Sequence, residues 1–314
     1  MVSSNEPMKA KLHDRPFDDP GWVFERKLDG IRALVRREGA AATLTSRTGR
    51  DLSPAYPELT EALREEPMER FLADGEIVAF EGRRTSFERL QGRMGIHDPR
   101  LAVLTGIPVY LYLFDLLELD GHDTTGLPLR SRKDLLRRSL EFRGPIRYTP
   151  HRNEHGVRLF REACSKGWEG LIAKRAESPY IHSRSRDWLK LKCSFEQELV
   201  IGGFTPPQGS RKHFGALLVG YYEDGELRYA GKVGTGFSER TLADLAARME
   251  ALEVPGSPFR RDGLPKRARW VRPELVGQFA FAEWTRDGKL RHPRYLGLRE
   301  DKPASEVVRE LPGG

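Results

Sequence analysis

The chain has 314 residues, which is enough for two domains that each bury a hydrophobic core. Charged residues make up 32% of the sequence and the formal net charge is +7, a balance that suits a polyanionic partner. No apolar stretch approaches the roughly 20 residues of a membrane helix, and the N-terminal segment has no apolar core of a secretory signal, so we expect no membrane association.

The predicted elements of the first part of the chain are short strands that alternate with helices. In chain order they are a hairpin around Glu38-Gly39, a helix from Pro54 to Glu66, a strand RFLADGEIVAF interrupted at Asp74-Gly75, a strand VYLYLFDLLEL that ends at Asp120-Gly121, helices in LRSRKDLLRRSLEF and NEHGVRLFREACSKG, and strands EGLIAKR and WLKLKC.

The pattern changes after Cys193, where short strands are separated by Gly, Asp and Pro turns and one amphipathic helix interrupts them. Such a series of strands with a single helix predicts a small β-barrel of the OB type, a fold that commonly binds nucleic acid. We place the domain boundary near Lys192 to Phe195. This gives a first domain over 1–193 and a second over 194–314.

The two cysteines, Cys164 and Cys193, lie far apart in the sequence and form no CxxC pair. Two cysteines exclude a four-cysteine zinc site and give no disulfide framework. We therefore predict that both are reduced thiols in a cytosolic protein.

The segment FERKLDGIRALV places Lys27 in a short turn between two strands, just before Asp29-Gly30 and Arg32. A surface lysine is the ordinary alternative for Lys27. Further short motifs follow it in the chain, and each of them occurs by chance in other proteins. These motifs are Ser46-Arg47, Asp74-Gly75-Glu76, Phe114-Asp115, Glu169-Gly170, Lys174 and Lys190-Leu191-Lys192. The ordered set, on strands that can line one cleft, is improbable without a shared function.

This ordered set resembles the nucleotidyltransferases that form a lysyl-nucleotide intermediate, which are the ATP-dependent DNA ligases and their cousins, the RNA ligases and mRNA capping enzymes. Within this group the chain is most similar to the ligase module of bacterial non-homologous end-joining ligases (LigD-type). Five stretches carry that closer resemblance: ADGEIVAFEG, EGLIAK, WLKLKC, GKVGTGF and LGLREDK. The resemblance implies an α+β fold, with an ATP-grasp-like nucleotidyltransferase domain of antiparallel sheets and helices followed by an OB-fold β-barrel.

The resemblance assigns the nucleophile to Lys27, which would attack the α-phosphate of ATP and form a phosphoramidate. A lysine is protonated and inert at neutral pH, so nearby cations and a metal are expected to favour the neutral amine. Lys190 and Lys192 alternate along one strand and share a face, and the resemblance places both on the α-phosphate. Solvated strand lysines are the alternative for these two residues.

Glu169 resembles the carboxylate that holds the catalytic Mg²⁺ or Mn²⁺. A hard cation prefers oxygen ligands and keeps several waters, so few protein ligands are expected. The alternative for Glu169 is a surface glutamate before a strand.

Six residues are expected to bind the nucleotide or the phosphate of the nicked end by resemblance: Glu25, Arg32, Arg47, Glu76, Phe114 and Lys174. Glu25 and its backbone would border the adenine. Glu76 would hydrogen-bond the ribose with Arg32 beside it, and Arg47 would contact the phosphate of the nicked end. Phe114 would stack on adenine, although it also lies in an apolar strand where core packing is the alternative.

The C-terminal RxDK pattern consists of Arg299, Asp301 and Lys302. In the family this segment swings over ATP, orients the pyrophosphate as leaving group and then swings away to admit DNA. Such motion needs a hinge at a few linker residues, which we expect near Lys192 to Phe195. A charged tail is the alternative.

The implied function is the sealing of 5′-phosphate/3′-OH nicks or ends in duplex DNA, in double-strand break repair. An RNA ligase or capping enzyme is the alternative within enzymes, and many RNA ligases lack the OB domain and its RxDK pattern. An NAD⁺-dependent ligase would carry a four-cysteine zinc module. A non-catalytic nucleic-acid-binding module would need none of Lys27, Glu76, Glu169 or Lys190.

The implied partners are nicked or broken duplex DNA, an end-binding (Ku-like) protein and a polymerase module. We expect a monomer in the bacterial cytoplasm or nucleoid. Whether the chain is a free-standing enzyme or a module of a larger polypeptide stays open at this point.

Overall fold

The computed structural model describes residues 6–193, 195–207, 212–260, 263–265, 267–285 and 287–310. The chain divides into two compact units, of which the first ends at Cys193. The predicted linker from Lys192 to Phe195 contains this division, and its Ser194 lies outside the described residues. Within the described ranges no helix is long and apolar enough to cross a membrane.

The first unit contains twelve strands and five α-helices in its described part. They are β1 (Lys9–Leu12), β2 (Trp22–Lys27), β3 (Ile31–Glu38), β4 (Ala41–Ser46), α1 (Pro57–Arg64), β5 (Arg70–Glu81), β6 (Arg84–Thr85), α2 (Phe87–Leu90), α3 (Pro99–Leu104), β7 (Val109–Leu119), β8 (His122–Asp123), α4 (Leu129–Ser139), β9 (Ile146–Tyr148), β10 (His151–Asn153), α5 (Gly156–Ser165), β11 (Gly170–Arg175) and β12 (Arg184–Lys192).

Two sheets carry this unit. One has the order β1-β12-β11-β2-β10, and the other has the order β4-β3-β5-β7-β8, with β6 paired to β5 and β9 paired to β7. The β1–β12 and β7–β9 pairs are parallel, whereas β2, β11 and β12 pair antiparallel. The hairpin predicted around Glu38-Gly39 is the β3–β4 pair, and Gly39 adopts the positive φ that its turn requires.

Strand β7 is buried on both faces, which explains its nearly continuous apolar sequence. Leu111, Leu113 and Leu116 join the larger core of the unit. Phe114 and Leu117 join a second cluster, which also holds Met8, Leu34, Leu72, Tyr180 and Trp188. Trp188 belongs to β12, whereas Phe114 and Leu117 belong to β7 of the other sheet. This smaller cluster therefore packs the two sheets against each other.

The prediction that the strand RFLADGEIVAF is interrupted at Asp74-Gly75 is wrong. β5 runs without a break from Arg70 to Glu81, and its pairing with β7 only shifts register at this point. A Cβ on Gly75 would lie 2.9 Å from the Tyr112 carbonyl oxygen, so the glycine permits close approach of β7. The Asp-Gly pair therefore marks an irregularity inside a strand and not a turn.

The predicted helices are present with shorter bounds. The helix expected from Pro54 to Glu66 consists of a 3₁₀ turn over Ser53–Ala55 followed by α1. Pro57 stands in the first turn of α1, where its missing N–H costs no hydrogen bond. α5 ends before Gly167, whose φ of 66° is typical of a helix-terminating glycine.

The second unit contains a six-stranded antiparallel sheet, a two-stranded sheet and one α-helix in its described part. Its elements are β13 (Phe195–Phe204), β14 (Leu217–Glu223), β15 (Glu226–Val233), α6 (Glu239–Glu250), β16 (Glu253–Val254), β17 (Arg269–Phe281), β18 (Glu283–Trp284), β19 (Leu290–Arg291) and β20 (Arg294–Leu298). The large sheet has the order β15-β14-β13-β17-β16, with β20 also paired to β17. The unit has its own hydrophobic core.

The prediction that both cysteines are reduced thiols is wrong for this structure. Cys164 of α5 and Cys193, which follows β12, form a disulfide with a Cα–Cα distance of 5.2 Å. The Cys193 N–H donates to the Glu169 carbonyl oxygen at 2.9 Å, which brings the end of β12 to the turn after α5. Only this tertiary contact joins the two sulfurs, because their separation in sequence carries no such signal.

Candidate active site

Lys27 is the last residue of β2 and lies opposite Gly170, the first residue of β11. Glu169 precedes Gly170 directly, and its carboxylate forms an ion pair with the Lys27 ammonium. Gly170 has a φ of 147°, and a Cβ there would lie 1.9 Å from the Leu191 carbonyl oxygen. The glycine after Glu169 is therefore needed for the close approach of β12 at this corner.

The turn after Lys27 is held by its Asp-Gly pair. The Asp29 carboxylate accepts a hydrogen bond from the Phe87 N–H at 3.1 Å, and the Asp29 N–H donates to the Thr85 hydroxyl at 3.1 Å. A Cβ on Gly30 would lie 2.1 Å from the Ile77 carbonyl oxygen. These two residues fix the main chain next to Lys27.

Lys190 and Lys192 lie on β12 opposite Ile172 and Gly170. They are two residues apart in a strand, so they project to the same face, as their spacing predicts. Both side chains are half-buried. The Lys192 backbone is thus in the same row of the sheet as Lys27, with Gly170 between them.

A buried cluster of charges lies beneath this corner. Glu25, two residues before Lys27, pairs with Lys174 at 2.7 Å and with Lys133 at 2.5 Å, and all three side chains are 3% exposed or less. Burial opposes ionisation of the Glu25 carboxyl, but the two ammonium groups outweigh it and lower the pKa of Glu25. Burial also lowers the pKa of Lys174 to about 8, an effect that Glu25 opposes.

The Phe114 ring contacts this cluster. The Lys174 Nζ lies 4.2 Å from the centre of the Phe114 ring and 4.1 Å from that of Trp188. The Arg32 guanidinium lies 4.7 Å from the Phe114 ring. Phe114 is 7% exposed and packs edge-on against Trp188, so core packing does account for its position. The same ring also stabilises two cations of the site.

Arg32 is held by Asp74. Two hydrogen bonds of 2.5 Å join the guanidinium to both oxygens of the fully buried Asp74 carboxylate. Burial works against the charge on Arg32, but Asp74 outweighs it and raises the pKa of the guanidinium. Glu76 lies opposite Arg32 in the β3–β5 pair, and it shares a strand face with Asp74. Tyr180 also donates to Asp74, at 2.5 Å.

Arg47 follows β4 in a tight turn. The Ser46 N–H donates to the Arg50 carbonyl oxygen at 2.8 Å, and the Gly49 N–H donates back to Ser46 at 3.0 Å. The Arg47 side chain is half-buried. The strand that precedes it, β4, belongs to the sheet that also carries Arg32 and Glu76.

The C-terminal residues of the RxDK pattern belong to the second unit. Arg299 makes two hydrogen bonds of 2.9 Å to the Asp301 carboxylate. Lys302 lies 3.1 Å from Glu198 of β13. Asp301 and Lys302 are both buried within this unit. The segment is therefore an ordered part of the second unit and not an exposed charged tail.

The donor set at Glu169 fits a hard divalent cation with few protein ligands. One carboxylate oxygen, Oε2, is buried and has no hydrogen-bond donor within the part of the chain that the structure describes. Across the same residues no group of three His, Cys, Asp or Glu side chains is arranged to hold a metal. A cation at Glu169 would take its other ligands from water and substrate phosphate oxygens.

The sequence assigned no role to Asp74 and did not single out Lys133, although both contact candidate site residues. Asp74 stands within the Asp-Gly-Glu motif, so strand alternation on a continuous β5 would have placed it beside Glu76. Lys133 stands four residues after Leu129 and three before Leu136, so helical spacing already places it on the buried face of α4. Its burial follows from the packing of α4 on β7.

Two family models match the chain. The model described as ATP dependent DNA ligase domain matches residues 7–192, and the model described as ATP dependent DNA ligase C terminal region matches residues 210–302. The chain belongs to the ATP-dependent DNA ligase family. Its membership confirms the predicted fold class, a nucleotidyltransferase domain followed by an OB-fold domain, and the prediction of a DNA ligase that uses ATP.

Individual relatives place this ligase close to the predicted subfamily. It is 40% identical over 317 residues to the multifunctional non-homologous end joining protein LigD of Pseudomonas aeruginosa, covering 98% of this chain and 37% of that protein. It is 31% identical to DNA ligase C1 of Mycolicibacterium smegmatis, covering 96% of this chain and 92% of that protein. The predicted likeness to LigD-type ligases is confirmed, and this ligase chain spans little more than a third of the LigD proteins it matches.

A solved structure supports the same assignment for this ligase. Mycobacterial DNA ligase D complexed with ATP and MES superimposes with a TM-score of 0.69 at 35% sequence identity, and the match covers 97% of this chain and 98% of that one. The alternatives of an RNA ligase or a capping enzyme are not favoured by these matches. Divalent metal use is general in the family.

Proposed function

We propose that this ligase seals 5′-phosphate/3′-OH breaks in duplex DNA through a lysyl-AMP intermediate on Lys27, in double-strand break repair by non-homologous end joining. The observation that carries the proposal is the position of Lys27 at the end of β2, paired with Glu169 and in one row of the sheet with Lys192. In these roles a nucleophile, a metal-binding carboxylate and phosphate-binding cations would converge on one corner of the first unit.

Lys27 would attack the α-phosphate of ATP as the neutral amine, and pyrophosphate would leave in line. The ammonium is held by Glu169 before this step. A divalent cation bound at Glu169 supplies positive charge to the phosphate oxygens. With a cation in its place on Glu169, the Lys27 ammonium would release its proton to solvent, and the neutral nitrogen could then point at phosphorus.

Lys190 and Lys192 would bind the α-phosphate oxygens. Both project from one face of β12, two residues apart, so they can contact the same phosphoryl group. Their charge is most valuable where negative charge accumulates in the transition state, because a half-buried site screens it less than water does. The same lysines would act again when AMP passes to the DNA 5′-phosphate.

The nucleoside would lie over the buried charge cluster. Glu25 would border the adenine, Phe114 would pack on the base, and Lys174 would stand between them. Glu76 would hydrogen-bond the ribose, and Arg32, fixed by Asp74, would keep this part of β3 and β5 rigid. Arg47 would contact the phosphate of the nicked end.

Arg299, Asp301 and Lys302 would orient the pyrophosphate during the first step only. Their ion pairs within the second unit hold the segment in place. The segment would therefore move together with the second unit as one rigid body. Once AMP is on Lys27, the leaving group is gone and these residues are no longer needed. We place the hinge between the two units near Lys192 to Phe195.

We propose broken or nicked duplex DNA as the substrate, with a Ku-like end-binding protein and a polymerase module as partners, and a monomer as the active form. The relatives named LigD are described as multifunctional end-joining proteins, which supports this context. The net charge of +7 supports binding to a polyanion. Mg²⁺ or Mn²⁺ would serve as the metal.

The test is covalent labelling by α-labelled ATP with metal, followed by denaturing electrophoresis. Wild-type protein should retain the label and Lys27→Ala should lose it, with thermal unfolding unchanged within a few degrees. Lys166→Ala, which removes an exposed lysine from the same unit, is the control and should label normally. Full labelling of Lys27→Ala would refute the assignment of the nucleophile. Preferred labelling by GTP would instead point to a capping-type enzyme.

A further inference from the structure

The Cys164–Cys193 disulfide lies at the corner of the first unit that carries the candidate site. Cys164 is in the last turn of α5, and Cys193 directly follows Lys192, the last residue of β12. Glu169 stands in the segment that leads from α5 into β11, and its carbonyl oxygen accepts the hydrogen bond from the Cys193 N–H at 2.9 Å. The disulfide therefore joins the two chain segments that hold the candidate metal ligand and one candidate phosphate-binding lysine.

The turn that contains Glu169 is anchored by a cysteine at each end. At its start, the Gly167 N–H donates to the Cys164 carbonyl oxygen at 3.0 Å. At its end, the hydrogen bond from the Cys193 N–H lies just beyond the terminal pair of the β11–β12 ladder. The ends of elements open more readily than their centres, so a covalent bond at this point limits the motion of the turn.

The disulfide is also placed where a small molecule can exchange it. Both cysteines are half-buried, and exchange requires that an attacking thiolate reach one of the two sulfurs. Cys193 packs on the apolar cluster between α5 and its sheet, as Trp168 does. These apolar contacts and the strand pairing of β12 do not depend on the disulfide, so the first unit can stay folded when the bond is reduced.

We propose that the Cys164–Cys193 pair is a thiol–disulfide exchange site through which a low-molecular-weight disulfide raises the rate of self-adenylylation. This inference rests on the proposed function, which gives Glu169 the metal. In the oxidised form the turn keeps the Glu169 carboxylate beside Lys27, where the ion pair is observed. In the reduced form the carboxylate would be held less firmly, and a group that is not held in its productive position contributes less to the rate.

The reaction transfers two electrons between sulfur atoms. One protein thiolate attacks a sulfur of the small disulfide, forms a mixed disulfide and expels the first small thiolate. The second protein thiolate then attacks the protein sulfur of the mixed disulfide and expels the second small thiolate. The two cysteines are oxidised, the small disulfide is reduced to two thiols, and the two cysteine protons pass through solvent to the expelled thiolates. An excess of small thiol reverses the reaction.

The experiment poises the wild-type protein in buffers with different ratios of reduced to oxidised glutathione. Alkylation and mass measurement count the free thiols, and thermal unfolding confirms that both forms are folded at the assay temperature. As the two thiols are oxidised, self-adenylylation at limiting Mg²⁺ should become roughly fivefold faster or more. Hydrogen exchange of the Cys193 amide, measured without ATP or metal, should slow over the same range of ratios, because its bond to Glu169 opens less often.

Two variants serve as controls. The double variant Cys164→Ser/Cys193→Ser cannot form the bond, so it should label at the rate of reduced wild type in every buffer. Glu169→Gln should label at the same slow rate in its oxidised and reduced forms, because the disulfide acts through this carboxylate.

Three outcomes would overturn the inference. Equal labelling rates of oxidised and reduced wild type, both folded, would show that the bond does not act on the site. A bond that glutathione reduces only when the protein unfolds would be structural alone. An undiminished redox effect in Glu169→Gln would show that the bond does not act through Glu169. Failure of wild-type protein to label with ATP at every glutathione ratio would refute the proposed function instead.

Discussion

The Glu169 carboxylate faces the Lys27 ammonium across neighbouring ends of β2 and β11, with one oxygen on the lysine and the other buried without a donor among the described residues. The carboxylate thus pairs with Lys27 through one oxygen and leaves the other available as an acceptor. A divalent cation bound there would compete with the Lys27 ammonium for the negative charge, so metal binding would favour release of the lysine.

Glu169→Gln should lower the rate of self-adenylylation by roughly two orders of magnitude, because loss of a metal ligand removes several kcal/mol of transition-state stabilisation. The carboxamide keeps the shape of the side chain, so the fold should remain. The measurement is the rate of covalent labelling over a titration of Mg²⁺ and Mn²⁺. Glu177→Gln, at a 69% exposed position in the same unit, is the matched control. A normal rate at low metal concentration would show that another group holds the ion.

Lys302→Ala should separate the first chemical step from the later ones. Contacts made only in one transition state affect only that step, so self-adenylylation should fall at least tenfold while single-turnover sealing of pre-adenylylated nicks stays within twofold. Lys232→Ala removes an exposed lysine of β15 in the same unit and serves as control. Parallel losses in the two assays would mean that Lys302 supports the fold through Glu198 or contributes to DNA binding.

The Cys164–Cys193 disulfide should stabilise the first unit. It closes a loop with a sequence separation of 29, for which chain entropy gives about 3 to 4 kcal/mol. Reduction should therefore lower the urea midpoint of wild-type protein, and Cys193→Ser should show the lower midpoint with or without reductant. Thiol titration of the oxidised native protein should find no free cysteine. Two titratable thiols and a midpoint insensitive to reductant would contradict the bond.

His151 should make the first unit sensitive to acid. Burial, aided by the nearby Lys133 charge, lowers the pKa of His151 from 6.5 to about 4. Between these values the unfolded chain binds a proton that the folded chain does not, so stability falls as pH decreases from 6.5 to 4 and the loss is complete below that range. For a half-buried ring, the loss in free energy of unfolding between pH 7 and pH 5 is about 1 kcal/mol once solvent screening is taken into account.

His151→Gln should therefore lose less stability than wild type between pH 7 and pH 5, measured as the difference in urea midpoints. His122→Gln changes an exposed ring in the same unit and should behave like wild type. An identical pH dependence of all three proteins would show that other groups, such as the paired carboxylates, account for acid unfolding.

Sequence patterns were enough to predict the family, the two-part α+β architecture and the residue types of the candidate site. Motifs such as KxDG and EG reflect local requirements. In KxDG a lysine stands at the end of a strand, and in both motifs a glycine stands where two backbones approach closely. Such requirements can be recognised in a short segment of sequence. Alternation along β12 likewise places Lys190 and Lys192 on one face without any tertiary information.

The pairings between side chains depend on contacts between distant parts of the chain. Lys133 lies 108 residues from Glu25, and the two meet because α4 packs on β7 while β2 lies in the facing sheet. Arg32 pairs with Asp74 across β3 and β5, because β5 continues through its Asp-Gly pair. The disulfide depends on the contact of Cys193 with the turn after α5. Burial and partner choice are set by contacts between distant segments, whereas sequence patterns report the periodicity of a single segment.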